Sequence, residues 1–299
     1  MAFARNGTVQ IYYETFGDPG DPTLVLVNGL GSQCINYRTD WCQRFVARHF
    51  HVVRLDNRDV GLSTHFSDVQ PDLARVVEAL SQGERAEVPY LLSDMAADVV
   101  AVLDALGVDR AHVMGLSMGG MIVQTLGVEH RDRLLSITSV MSTTGEPDVG
   151  QASPEARARL FGPPATDRAS AVANHLAGLR IWGSPGRVDE EAQARYAGEA
   201  FDRAFDPAGV ARQIMAVTAS GPRADALRQV DVPTLVMHGS ADTLIDPSGG
   251  RRTADLIPGA RFVLLEGMGH DYPQPYWDEW VDLVTAHVAA VEASALKRK

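Results

Sequence analysis

The sequence contains little cysteine, no excess of positive charge and no long uninterrupted apolar run. Its two cysteines, Cys34 and Cys42, lack the spacing of a disulfide framework, so we expect both as reduced, buried thiols. The 27 Lys and Arg residues are outnumbered by 38 Asp and Glu residues, giving a formal net charge of −11. This charge argues against binding of nucleic acid, or of an anionic membrane surface, through bulk electrostatics.

Segments that would carry the chain to or across a membrane are missing as well. The first residues contain no long apolar stretch typical of a secretory signal, and no apolar run reaches the length that spans a bilayer. We therefore expect a soluble cytoplasmic protein. The usual zinc-binding and phosphate-binding motifs are also absent, so we expect chemistry that needs no metal and no cofactor. The basic tail at 297–299 is predicted to be a frayed chain end.

The 45% of hydrophobic residues is enough for a sizeable core, and strand and helix patterns alternate along the chain. This alternation predicts an α/β fold with a mostly parallel sheet. A half-exposed edge strand is predicted at about 8–16, and residues 64–90 are interpreted as a surface excursion. Residues from about 142 to 228 show little strand pattern and are interpreted as a helical insertion. Inner strands are predicted at 23–27, 51–55, 111–116, 134–141, 232–237 and 261–265, and helices at about 37–49, 93–106, from 118 onward, and 275–292.

The stretch Gly-Leu-Ser-Met-Gly at 115–119 follows an apolar run and precedes a helical pattern. It predicts a strand, a sharp turn that carries Ser117, and a helix that begins at about Met118. Gly115 and Gly119 lack the Cβ atoms that would collide where strand and helix meet, and Ser117 is expected at strained backbone angles. Such a turn exposes the Ser117 hydroxyl at the carboxyl edge of the sheet, although the motif alone also fits a purely structural turn.

Three reactive side chains directly follow predicted parallel strands: Ser117, Asp242 and His270. The carboxyl ends of parallel strands share one edge of the sheet, so we expect these side chains to meet there. A serine hydroxyl needs a base to become a nucleophile, and the base needs an acceptor that fixes its tautomer. The sequence therefore predicts a triad with Ser117 as nucleophile, His270 as base and Asp242 as orienting acid.

Alternatives exist for each of these assignments. Asp246 competes with Asp242 for the role of the acid, but Asp246 precedes Pro247 and also fits a helix cap. Backbone N–H groups of Leu30 and Met118 are predicted to bind the oxyanion, although the glycine-rich loop at 28–31 could be only a turn. Eight further histidines fall inside predicted elements or lack the glycine-flanked position of His270.

These residues together resemble the α/β-hydrolase superfamily over nearly the whole chain. The resemblance rests on 115–119, on the Asn28-Gly29 loop, and on residues 56–63, 239–242 and 267–270. Within the superfamily, the chain is most similar to bacterial carboxylesterases related to aclacinomycin methylesterase and to actinobacterial esterases and lipases. Asn28 stands where histidine is common in the superfamily. Asp59 stands where many superfamily members have glycine, a difference that the subgroup shares.

The resemblance implies an α/β-hydrolase fold with a core of residues 1–142 and 229–299 and a helical lid at 143–228. It also implies that Leu179 and Trp182 line the substrate pocket, with packing between lid helices as the alternative for Trp182. The residues and the resemblance together favour a serine esterase that acts on a small to medium ester. The expected partner is therefore a small-molecule substrate, and the oligomeric state stays open. The alternatives are a lipase, a thioesterase, a carbon–carbon bond hydrolase, a perhydrolase, or a catalytically slow protein that uses the same pocket to bind a ligand.

Overall fold

The structure is a computed structural model that describes residues 2–296, so the predicted frayed end at 297–299 lies outside the described residues. Within this range, eight strands form one sheet. The strands are β1 (Ala2–Asn6), β2 (Val9–Phe16), β3 (Thr23–Val27), β4 (His51–Leu55), β5 (Ala111–Leu116), β6 (Leu134–Val140), β7 (Thr234–Gly239) and β8 (Arg261–Leu265). The helices are α1 (Thr39–Val46), α2 (Leu73–Ser81), α3 (Leu92–Leu106), α4 (Met118–Glu129), α5 (Pro154–Leu160), α6 (Arg168–Trp182), α7 (Glu190–Arg203), α8 (Pro207–Ser220), α9 (Ala224–Leu227), α10 (Ser248–Leu256) and α11 (Trp277–Leu296).

The order of strands across the sheet is β1-β2-β4-β3-β5-β6-β7-β8. The pairs β1–β2 and β2–β4 are antiparallel, and every pair from β4 to β8 is parallel. A parallel sheet collects the ends of its strands at one edge, where the loops after β3, β5, β7 and β8 lie together. This topology confirms the predicted α/β fold class.

Helices cover both faces of the sheet, and inner strands such as β3 are accordingly buried at every position. Val25 and Val27 point into a core with α3 and α4, whereas Leu24 and Leu26 point into a second core with α1 and α11. Burying each such side chain contributes about 1.5–3 kcal/mol relative to leaving it in water. Both faces of β3 are therefore fixed, which fixes the position of the loop that follows it.

Strand β1 and helix α2 were not predicted from the sequence. The predicted edge strand at 8–16 is β2, and it is covered by the short strand β1, whose residues pair with it from Ala2 opposite Tyr13 to Asn6 opposite Val9. These five residues contain one large apolar side chain, Phe3, and show no clear alternation of apolar and polar residues. The excursion at 64–90 contains helix α2, which packs against α8 and has Asp72 as its cap.

The chain between β6 and β7 contains helices α5 to α9, which we call the α5–α9 segment. Its helices α6 and α7 pack on each other, while α8 packs on α2 and α3. The division into a core and a lid at 143–228 stays a prediction. Across residues 2–296, no helix combines the length and the apolar character needed to cross a bilayer.

Candidate active site

Ser117 lies at a tight turn between β5 and α4. Its backbone angles are φ 55° and ψ −117°, a left-handed conformation that costs a non-glycine residue about 1–3 kcal/mol. A Cβ on Gly115 would lie 2.1 Å from the Gly119 carbonyl oxygen, and a Cβ on Gly119 would lie 2.2 Å from that of Val27. The strained turn and the need for both glycines are as predicted. Ser142 Oγ donates to the Ser117 carbonyl at 2.8 Å and holds the turn in place.

Asp242 and His270 form a buried pair at the ends of β7 and β8. His270 Nδ1 lies 2.7 Å from Asp242 Oδ2. The other carboxylate oxygen accepts from the backbone N–H groups of Leu244 and Ile245, both at 2.9 Å. Burial alone would raise the pKa of Asp242, but His270 and His238 lower it to about 2. The carboxylate is therefore ionised, Nδ1–H of His270 donates to it, and Nε2 is left free to accept a proton.

His238 is a second histidine on the Asp242 carboxylate, and the sequence reasoning missed it. Its Nε2 lies 2.8 Å from the Ile245 carbonyl oxygen and 3.2 Å from Asp242 Oδ2. A carbonyl oxygen can only accept, so Nε2 of His238 carries the proton. The spacing of four residues between His238 and Asp242 at the end of a strand was the available signal.

The loop that carries His270 is held by the α5–α9 segment. The backbone N–H of His270 donates to the Trp182 carbonyl oxygen, and that of Gly269 donates to Ser184 Oγ at 2.9 Å. Asp271 accepts from the backbone N–H of Ser184 at 3.0 Å. Burial raises the pKa of Asp271 in spite of these hydrogen bonds. The end of α6 thus fixes the backbone on which His270 stands.

Ser117 and His270 line the same cavity. Within the described residues, Ser117 Oγ makes no hydrogen bond to the His270 ring, while the ring keeps its bond to Asp242. Catalytic hydrogen bonds are often long without substrate and tighten in the complex. The structure therefore brings all three predicted side chains to one edge of the sheet and joins two of them directly.

The loop after β3 lies against Ser117, as the predicted oxyanion site requires. A Cβ on Gly29 would be 3.2 Å from Ser117 Cβ and 3.8 Å from its Oγ. Met118 is the first residue of α4, where an N–H has no partner within its helix. Among residues 2–296, neither the N–H of Leu30 nor that of Met118 donates to a protein acceptor. Both groups are available to an oxyanion that forms beside Ser117.

Asn28 holds this loop through both ends of its side-chain amide. Its Nδ2 donates to the Gln33 carbonyl oxygen and its Oδ1 accepts from Asn36 Nδ2, both at 3.1 Å. Its own carbonyl oxygen accepts from Asn57 Nδ2 at 3.0 Å. The loop is therefore fixed by side-chain amides. Asp56 supports it as well, since one carboxylate oxygen accepts from the Cys34 N–H at 2.6 Å.

The cavity in front of Ser117 has a volume of about 1450 Å³. Leu30, Met118, Leu179 and Trp182 all line it. Trp182 also packs on Gly178 of its own helix α6, where a Cβ would lie 2.4 Å from the indole ring. The remaining wall is mixed: polar and aromatic side chains such as His175, Gln193 and Tyr196 alternate with aliphatic ones such as Met121, Ile214 and Val217.

One cluster of metal-ligand side chains occurs in the described part of the chain, formed by Asp59, His65 and Asp206. Arg212 reaches into it and donates to Asp59 Oδ1 at 2.7 Å and to Asp206 Oδ2 at 2.8 Å. Tyr90 donates to the second Asp59 oxygen at 2.6 Å. These carboxylates are neutralised by protein cations and hydroxyls, which makes the cluster a structural ion-pair network that ties α8 to the loop after β4. The cysteines Cys34 and Cys42 are both free and buried.

The sheet order, the strained serine turn and the glycine-lined loop define a class of protein. The profile of the family described as alpha/beta hydrolase fold matches residues 22–272. The chain therefore belongs to the α/β-hydrolase family, and the predicted superfamily, fold class and hydrolase character are confirmed.

Two relatives cover most of this chain. A rhodomycin D methylesterase, DnrP, of Streptomyces peucetius is 28% identical over 95% of this chain and 97% of its own length. A putative carbamate hydrolase, RutD, of Pseudomonas syringae is 28% identical over 83% of this chain and 86% of its own. The methylesterase supports the predicted similarity to the aclacinomycin methylesterase group.

Solved structures agree with this assignment. Est816, described as an N-acyl homoserine lactone degrading enzyme, is 25% identical with a TM-score of 0.71 and covers 95% of this chain and 99% of its own. The enol-lactonase of Burkholderia xenovorans LB400 superposes with a TM-score of 0.73 over 96% of this chain and 100% of its own. At 23% identity, this second likeness shows the fold alone.

Proposed function

We propose that the chain is a serine carboxylester hydrolase that works through an acyl-enzyme. The observation that carries this proposal is the buried His270–Asp242 pair, 2.7 Å apart, on the same cavity as the strained turn of Ser117. A histidine held by an ionised carboxylate at Nδ1 presents Nε2 as a base towards the nucleophile. The roles of Ser117, His270 and Asp242 are those predicted from the sequence.

In the first half of the reaction, Ser117 Oγ attacks the ester carbonyl carbon while His270 Nε2 takes the hydroxyl proton. The carbonyl oxygen becomes an oxyanion, which the N–H groups of Leu30 and Met118 bind. The bond to the alcohol oxygen then breaks, and the alcohol leaves with the proton from His270. In the second half, water gives a proton to His270 and its oxygen attacks the acyl carbon. Ser117 regains the proton as the carboxylic acid leaves.

We further propose that the α5–α9 segment acts as the lid predicted at 143–228, over a core of residues 1–142 and 229–299. Leu179 and Trp182, which line the cavity, would contact the substrate. Pockets for drug-sized ligands commonly have volumes of about 300–1,000 Å³, so a cavity of about 1450 Å³ has room for an ester larger than the small to medium one expected from the sequence. The methylesterase relatives support a small alcohol part, such as methanol.

The test uses Ser117→Ala. We expect the variant to fold and to lose most hydrolysis of p-nitrophenyl butyrate, and a fluorophosphonate probe should label the wild-type chain at Ser117. Undiminished turnover by the variant would refute the proposal. Lack of labelling and of ester turnover by folded wild-type protein would instead favour the ligand-binding alternative.

The lipase and thioesterase alternatives are separated by a series of methyl esters, long-chain esters and thioesters. Release of methanol from bulky methyl esters, measured by mass spectrometry or gas chromatography, is the expected preference. A preference for long acyl chains, or for thioesters, would contradict the proposed substrate class while leaving the triad in place.

A further inference from the structure

Gln213, on helix α8, joins the α5–α9 segment to the loop beside Ser117. Its Oε1 accepts from the Gly31 N–H at 2.9 Å, and its Nε2 donates to the Arg58 carbonyl oxygen at 2.8 Å. The side chain is completely buried. An amide is costly to bury unless its polar atoms are satisfied, and here both ends are bound to backbone groups.

The Gly31 N–H belongs to the peptide group that directly follows Leu30. Peptide groups are planar, so an acceptor on the Gly31 N–H fixes the plane of the Leu30–Gly31 peptide and limits rotation about Leu30. The Leu30 N–H, one residue earlier, is the group proposed to bind the oxyanion. Gly31 has φ +65°, and a Cβ there would lie 3.0 Å from Val210 on α8. Helix α8 therefore contacts the back of the turn as well as its N–H.

Gln213 itself is held in position by its neighbour. Arg212 pairs with Asp59 at 2.7 Å and with Asp206 at 2.8 Å, and its side chain is 1% exposed. A buried guanidinium with two carboxylate partners restrains the first turns of α8 against the loop after β4. The same loop supplies the Arg58 carbonyl oxygen that Gln213 binds. The acceptor on Gly31 therefore stands on a rigid support.

We propose that Gln213 is a positioning residue for the oxyanion site: it holds the Gly29–Gly31 turn so that the Leu30 N–H points at the developing oxyanion. The inference rests on the proposed esterase function. Helix α8 would thus help to stabilise the transition state, in addition to any contact that the α5–α9 segment makes with substrate. A hydrogen-bond donor that loses its orientation stabilises the oxyanion less, whereas binding of the uncharged ester changes little.

The test is Gln213→Met, which keeps the volume and removes both hydrogen bonds. Loss of a whole oxyanion donor costs about 10²–10³ in kcat, and a misplaced donor should cost less, so we expect kcat to fall about 10- to 100-fold. KM should stay within about 3-fold, because the substrate carbonyl is not yet charged. The inhibition constant of an aryl trifluoromethyl ketone, whose adduct carries an oxyanion, should rise by the same factor as kcat falls.

Gln124→Met is the matched control. Gln124 is also completely buried and bonds to Ser139 and Arg223, but it does not contact the Gly29–Gly31 turn. We expect this variant to lower the melting temperature and to leave kcat and the trifluoromethyl ketone affinity within about 2-fold. Equal losses of kcat in both variants, or an unchanged kcat in Gln213→Met, would overturn the proposal.

A measurement on the wild-type chain keeps the proposal testable if Gln213→Met does not fold. The Gly31 amide should exchange with deuterium as slowly as the amides in the middle of α8, because it is bound by a buried acceptor. Faster exchange than in α8 would contradict the positioning role. An active wild type with an inactive Ser117→Ala, together with unaffected Gln213→Met, would refute this inference alone, whereas an active Ser117→Ala would refute the esterase mechanism.

Discussion

Replacing Asp242 by Asn exchanges one carboxylate oxygen for an NH₂ group in a site whose hydrogen bonds determine the result. Asp242 Oδ1 accepts from the N–H groups of Leu244 and Ile245, both at 2.9 Å, so the carbonyl oxygen of an asparagine would take that place. The asparagine NH₂ group would then stand where Oδ2 now lies, 2.7 Å from His270 Nδ1. Two donors cannot share one hydrogen bond, so His270 Nδ1 must become an acceptor.

The His270 proton consequently moves to Nε2, which is the atom that must accept the Ser117 proton. The ring keeps its position and loses its function as a base, so the loss falls on kcat. An asparagine in the corresponding role of the chymotrypsin-type triad lowers kcat about 10⁴-fold, and we expect a loss of about 10³- to 10⁴-fold here. At about 1.4 kcal/mol for each factor of ten, this corresponds to about 4–6 kcal/mol of transition-state stabilisation.

The assay is kcat and KM for p-nitrophenyl butyrate, together with the rate of fluorophosphonate labelling at Ser117. The control is Asp246→Asn, because the exposed Asp246 accepts from the Ser248 N–H at 2.9 Å at the start of α10 and makes no contact with His270. We expect the control to keep kcat within about 3-fold. Comparable losses in both variants, or an Asp242→Asn enzyme with nearly normal kcat, would refute the reasoning.

Three further changes test the structure. Gly119→Ala should destabilise the fold by about 2 kcal/mol or more, measured by urea unfolding, because its Cβ would lie 2.2 Å from a backbone oxygen. Arg212→Met should cost about 3–5 kcal/mol by stranding the buried Asp59, with recovery in a double variant with Asp59→Asn. The pKa of Asp242 is lowered to about 2, so its ionised carboxylate should add on the order of 2 kcal/mol to the free energy of unfolding. This stabilisation should be present above about pH 4 and lost as the pH falls towards about 2. An Asp242→Asn chain should lack this pH dependence in urea unfolding.

Much of the fold could be predicted because its determinants are local. Largely apolar runs such as β3 and β5 are visible in the sequence, and the glycines around Ser117 and His270 show where strands end. The short strand β1 and helix α2 were missed because their stability comes from partners elsewhere, β2 and α8 respectively.

Two residues that support the site, Gln213 and His238, were also not predicted from the sequence. Gln213 lies 182 residues from its partner Gly31, and no pattern in the sequence relates the two. His238 is close to Asp242 in sequence, but it follows the predicted strand at 232–237 without the glycine-flanked position of His270, which suggested a structural side chain. Contacts between distant segments depend on how helices pack on the sheet, which a residue pattern does not encode.

The attachment of the α5–α9 segment has a consequence for engineering. Exchanging this segment as a module is an obvious route to new substrates, since it forms much of the cavity wall. Ser184 and Gln213, however, belong to the segment and bind the backbones of Gly269 and Gly31. A graft that omits these two side chains would import a new recognition surface and release both reactive loops. A transplanted insertion should therefore carry serine and glutamine at the equivalent places, whatever else it brings.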